Sequence, residues 1–350
     1  MKQKRYRPSA ASMELIFPNP FLPPHVIGIV DANHEPGSMP LVETLVVEEA
    51  NTENAVNWLR LGEFERALEA ADRGIACGKH LVDGQEYWGY RFVRAEVLRM
   101  RGQIEEAAAY LYSLGLPNES DVPSRASWNM HLGYCLGLLG RYSESSQLLE
   151  QAGYTAWEAD LPELRCAILL RKGMIHYVRN EYGPSDKTYR CALDICERLD
   201  DWYLISTALA GIGKNLMAQR HFTQALPWFE QSLAIADQAG ARHSIARLWN
   251  ELAVCHWGLG DSAKSLELLR DAERLTLELG AMHAYQVCLA DIGNVYLQLG
   301  DCVTAMTYYE RALRLAEQIK DPVSVKKWNH NLHLAFQKFR EGLTKTADGI

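Results

Sequence analysis

The chain alternates between two kinds of amphipathic stretch, each long enough for a helix and each ended by a short break. The breaks within successive pairs fall at Gly62, Gly102, Gly140, Asn180, Arg220, Gly260 and Gly300, at intervals of 40, 38, 40, 40, 40 and 40 residues. Other positions keep step with them. Seven residues before each break stand Ala55, Ala95, Gly133, Gly173, Gly213, Ala253 and Gly293, all small. Five residues after stand Ala67, Ala107, Ser145, Ser185, Ala225, Ser265 and Ala305, again all small. Nine after stand Ala71, Leu111, Leu149, Tyr189, Phe229, Leu269 and Tyr309, large in six of the seven. Two antiparallel helices approach closely only where both present a small side chain, and a large residue one turn on fills the space beside the contact. Each pair then leaves an apolar face that only the next pair can cover, so the pattern predicts an all-α stack of helical hairpins.

The seventh repeat carries Ile292-Gly293, Tyr296, Leu299-Gly300-Asp301, Ala305, Tyr309 and Ala312-Leu313; the fifth carries Ile212-Gly213, Phe222, Ala225, Phe229 and Leu233. These residues resemble the tetratricopeptide repeat (TPR) pattern, and the resemblance extends over roughly residues 50–340. It implies a right-handed superhelix of about seven helix pairs plus a C-terminal capping helix, and a role in binding protein or peptide. The period is 40 residues where the common form has 34. In this it is similar to Leu-Gly-Asn-repeat adaptors, to TPR arrays of bacterial regulators and to the peptide-binding Rap-type regulators. The extra residues lengthen each helix by about three residues, or about 4.5 Å, which implies a deeper groove. Some positions depart from the pattern. Ala71 and Gly74 predict a loosely packed first repeat, and Pro227 predicts a bent or loosened helix. Pro184 falls in a first turn, where proline is tolerated.

Seven of the 13 prolines lie within residues 1–40, so helix is not expected there and the array is expected over 41–341. Residues 1–40 read as a poorly ordered tail and 342–350 as a polar C-terminal tail. Residues 323–341 read as a half-polar capping helix with Trp328, Leu332, Phe336 and Phe339 on one face.

The net charge of −8 argues against nucleic-acid partners and anionic membranes, and no apolar run reaches the ~20 residues of a membrane helix. The basic start is followed by prolines rather than an apolar stretch, so no signal peptide is expected. The eight cysteines form no Cys-x-x-Cys pair and mostly sit in apolar helical patterns, which suits a reduced, cytoplasmic protein.

Candidate chemistry is sparse. Gly211-Ile212-Gly213-Lys214-Asn215 lacks the first glycine and the hydroxyl residue of a phosphate loop. His330 and His333 lack further ligands for a metal, and adjacent Cys255 and His256 point about 100° apart on a helix. His176 and His256 read as packed core histidines. No enzyme, cofactor or metal is expected.

The resemblance implies that first helices line the concave face, through side chains ten, nine, six, three and two residues before each break. These are Met130, His131, Tyr134 and Leu138; Leu170, Arg171, Met174 and Tyr177; Lys214 and Met217; Asn250, Glu251, Val254 and Trp257; and Asp291, Asn294 and Gln298. Met, Tyr and Trp are residues that concentrate in interface cores. Arg171 and Lys214 lie toward the middle of the groove, Glu251 and Asp291 toward its end. Met174 and Val254 occupy columns where a chaperone-tail clamp needs Lys or Asn. The expected function is therefore a non-catalytic module that binds a peptide or helix of a partner, as an adaptor or as a ligand-responsive sensor.

Overall fold

The computed structural model describes residues 52–77, 85–319 and 321–347. The expected tail (1–40), the expected first residues of the array (41–51) and residues 348–350 lie outside the described residues. Within them the chain forms seven helical hairpins and a final helix. The hairpins are α1 (Thr52–Leu61) with α2 (Phe64–Cys77), α3 (Gln85–Met100) with α4 (Ile104–Leu114), α5 (Val122–Leu138) with α6 (Tyr142–Glu158), and α7 (Pro162–Val178) with α8 (Tyr182–Leu199). They continue as α9 (Trp202–Ala218) with α10 (Phe222–Gln238), α11 (Arg242–Gly258) with α12 (Ser262–Glu278), and α13 (Met282–Gln298) with α14 (Cys302–Gln318). The final helix is α15 (Pro322–Ala347), which runs past the expected end at 341.

The break residues are the turns. Gly62, Gly102, Gly140, Asn180, Arg220, Gly260 and Gly300 all have positive φ. In all seven of these turns the next backbone N–H reaches back to close the helix end, for example Arg141 N to Leu136 O at 2.9 Å and Asp301 N to Tyr296 O at 3.0 Å. Aspartates start several of the following helices: the side chains of Asp201, Asp261 and Asp301 accept backbone N–H bonds of α9, α12 and α14.

The small columns are the contact line of each hairpin. All seven residues of the column after the break are fully buried. A Cβ on Gly213 would lie 2.9 Å from the Phe229 ring, and one on Gly293 would lie 2.8 Å from the Tyr309 ring. Bulk in one column thus occupies the space left by glycine in the other.

Four expectations need correction. The first repeat is well packed, because the Tyr90 ring of α3 fills the space that Ala71 and Gly74 leave open; a Cβ on Gly74 would come within 2.4 Å of it. Pro227 lies inside α10, which stays one helix from Phe222 to Gln238. On α15 the buried line is Trp328 and Ala335, with Val325 and Leu332 half-buried beside them, while Phe336 is exposed. Cys166 and Cys196 are joined as a disulfide between α7 and α8, with Cα atoms 6.4 Å apart, where reduced thiols were expected; both are fully buried and face one another across the hairpin.

The stack curves until its start meets its end. Arg60 of α1 donates to Asp201 at the start of α9 at 2.9 Å, with both side chains buried. Phe64 packs edge-on against His243 of α11 at 5.0 Å. Ala281, Leu279 and Ala284 join the core formed by α1, α2 and α3. The first two repeats therefore close against the fifth to seventh, and the concave face becomes the wall of an interior space.

Candidate functional site

The space inside the curve is a partly open cavity of about 420 Å³, walled mainly by the first helices of repeats 1 to 7. That lies within the ~300–1,000 Å³ range of small-ligand sites. Of the expected groove residues, Tyr134, Leu138, Arg171, Met174, Lys214, Asn250 and Glu251 line it. Met130 and Leu170 do not. They are buried in the cores between hairpins, although Asn250, in the same column of the sixth repeat, reaches the cavity. Tyr177, Met217, Val254, Trp257, Asp291 and Asn294 are half-buried and stand off the cavity wall, and Gln298 is exposed.

Charge on the wall is organised into pairs. Glu96 of α3 is the centre of the first group. His131 Nδ1 lies 2.8 Å from its Oε1, Arg171 donates to the same oxygen at 3.0 Å, and Arg99 donates to Oε2 at 2.8 and 2.6 Å. Burial alone would raise this carboxyl; the adjacent Arg171 and Arg99, with the His131 hydrogen bond, outweigh it and hold the carboxyl well below its ordinary range. Burial lowers His131. The Tyr134 ring sits under both guanidiniums, 4.5 Å from Arg171 and 5.2 Å from Arg99. Farther along, Lys214 pairs with Glu251 at 2.7 Å. Asn250 and Asn294 donate to Asp291 at 3.0 and 3.1 Å, and burial raises that carboxyl. The expected separation of Arg171 and Lys214 from Glu251 and Asp291 is thus corrected: each cation already has an acidic partner in the chain.

Leu59, Arg60, Glu96, Arg99 and Met100 occupy the same inward columns in repeats 1 and 2; all but Glu96 line the cavity, and Glu96 lines a small pocket beside it. Tyr203, His243 and His283, at the start of their helices, and Thr207, Arg247 and Val287, one turn on, line it as well. No repeat-level signal marks these two columns, because they face inward only once the superhelix has closed.

His176 and His256 are half-buried rather than core. Each faces the acid that follows its turn, His176 at 2.7 Å from Glu181 and His256 at 3.6 Å from Asp261. Among the described residues, no cluster of three His, Cys, Asp or Glu is placed to hold a metal ion, and no helix is long and apolar enough to cross a membrane.

Two tetratricopeptide repeat family models match the chain, over residues 210–276 and 244–318, so TPR repeats are present. No curated protein matches the sequence. Among solved structures, the chain is similar to a Rap protein complexed with Competence and Sporulation Factor, at 14% identity and TM-score 0.64, covering 83% of this chain and 85% of that one. It is similar to NprR in complex with its cognate peptide NprX, at 14% identity and TM-score 0.54, covering 85% and 88%. It is also similar to aspartyl phosphate phosphatase F from Bacillus subtilis, at 12% identity and TM-score 0.52, covering 89% and 87%. At these identities the likeness is one of fold.

Proposed function

We propose that this chain is a peptide-responsive binding module, with the interior of the superhelix as its ligand site and no catalytic role of its own. The observation that carries this reading is the closure of repeats 1 and 2 onto repeats 5 to 7 around a cavity of about 420 Å³ walled by both apolar and charged side chains. An adaptor that grips a long helix of a partner needs a groove open along its length. A bounded, partly open cavity suits a short segment, whose binding adjusts how tightly the first repeats hold the last. The solved complexes of Rap and NprR, of the same fold, are in keeping with a sensor of this kind. So is the 40-residue period, which resembles that of bacterial regulators.

The test is a blocking substitution. Met174 lies on the cavity wall, and Met174→Trp adds bulk there without adding charge. The full-length chain is incubated with a random heptapeptide pool, and retained peptides are read by native mass spectrometry. Retention by the wild type and its loss in a Met174→Trp variant of unchanged circular dichroism is the expected result. A folded variant that keeps the same peptides would place binding elsewhere.

A further inference from the structure

The cavity wall is unbalanced in charge. Arg60, Arg99, Arg171, Lys214 and Arg247 line it. Their ion-pair partners are three carboxylates: Asp201 on Arg60, Glu96 shared by Arg99 and Arg171, and Glu251 on Lys214. Five cations against three carboxylates leave two positive charges inside a chain whose net charge is −8. The surplus has an address. Arg247 has no acidic partner among the described residues. Its charge, after the larger effect of burial, helps push His243 down to about 3, so that imidazole is neutral and offers no balancing charge. Arg60 is also incompletely used. Its side chain is 1% exposed, and only one nitrogen is bonded to Asp201; Nε and Nη1 have no hydrogen-bond partner. Buried donors and an unpaired guanidinium are costly to leave unmatched, and guanidinium matches a planar oxyanion.

Resting on the peptide-site reading above, we infer that the cavity selects a ligand bearing a carboxylate, held against Arg247, with the buried and incompletely bonded Arg60 guanidinium adding positive charge to the wall. The carboxylate is the free C-terminus of a short peptide, and the half-buried Met174, Leu138 and Val287 receive its apolar part. Arg171 and Lys214, which the sequence alone pointed to, are already occupied by Glu96 and Glu251.

The experiment uses the full-length protein and four probes. Two are pentapeptide pools without Asp or Glu, identical except that one ends in a free carboxylate and the other in an amide. The third is glutarate, and the fourth is inorganic phosphate. Retention is read by native mass spectrometry and the melting midpoint by fluorimetry. The free-acid pool is expected to be retained at least tenfold more than the amide pool. Arg247→Gln should remove that preference with a midpoint no lower than that of the wild type, and Arg247→Lys should restore part of it. Equal retention of both pools, or an unchanged preference in Arg247→Gln, overturns the carboxylate inference and leaves the peptide reading standing. A midpoint raised by glutarate, with neither pool retained, keeps the carboxylate inference and ends the peptide reading. A response to phosphate alone overturns both, as does no response to any probe.

Discussion

Gly62 and Gly260 occupy the same turn of their repeats and have nearly the same backbone, φ 89° and 87°. Their surroundings differ. A Cβ on Gly62 would sit 2.3 Å from the His243 Cβ, whereas one on Gly260 would meet nothing within 4 Å. Gly102 and Gly300 repeat the contrast, the first approaching His283 and the second open. Identical local chemistry therefore serves two purposes. In the last repeats the turn only reverses the chain. In the first two it is also the edge by which the superhelix closes, and closure turns a groove into a cavity.

The largest effect that would break this contrast is at the buried pair. Arg60→Ala leaves Asp201 buried without its cation, a change that costs roughly 3–5 kcal/mol in such settings. In a repeat array the loss should be local. Hydrogen exchange is expected to accelerate in α1 to α3 and at the start of α9, with α13 and α14 little changed. Uniform acceleration would mean that the array unfolds as one unit and that closure is not a separable contact.

Next is Gly62→Ala against Gly260→Ala. Both place an L-residue at positive φ, at about 1–2 kcal/mol. Only the first also drives a Cβ into His243, so it should cost at least ~1 kcal/mol more and widen the molecule in small-angle scattering. Equal losses in chemical denaturation would remove the distinction between the two regions.

Acid should separate the regions more gently. His243 is held neutral, at about 3, by burial first and then by Arg247, Arg99 and His283. An opened chain takes up a proton there below about pH 6.5. Closure is therefore at full strength above 6.5 and weakens as pH falls from 6.5 toward 3, by at most about 1.4 kcal/mol per unit. Glu96 acts in a lower window: its depressed value supplies stability above about 4.5 that is lost as pH falls through its folded value. Exchange of α1 to α3 between pH 6.5 and 5 should respond to His243→Phe and not to Glu96→Gln.

The smallest effect is in the regular part. Arg220 holds the turn position with φ 64°, where five of its six counterparts are glycine and the other is Asn180. Arg220→Gly should stabilise the fifth repeat by about 1 kcal/mol. A loss of stability there would show that the arginine side chain has a role the backbone does not.

Hairpin count, turn positions and packing lines were readable in the chain, because each depends on residues within about 20 positions of one another. Gly213 facing Phe229 and Gly293 facing Tyr309 are such cases. The site was readable only in part. Tyr134, Arg171, Met174, Lys214, Asn250 and Glu251 follow from the inward columns, and so do Arg60 and Arg99, with Glu96 in the pocket beside them, once the same frame is carried into the first two repeats. Met130 and Leu170 were misplaced because in the third and fourth repeats their column packs into the cores between hairpins, while in the sixth it brings Asn250 to the cavity.

The 40-residue interval and the all-small columns by themselves determined an all-helical stack of hairpins, because helix spacing is set by side-chain volume at fixed offsets. Tertiary structure alone decided that the stack closes, and with it which charges meet. Arg60 and Asp201 are separated by 141 positions, and Arg171 and Glu96 by 75. No periodic pattern links such distances. They are fixed by the small rotation that each hairpin adds to the last, summed over repeats until the first and fifth come into contact.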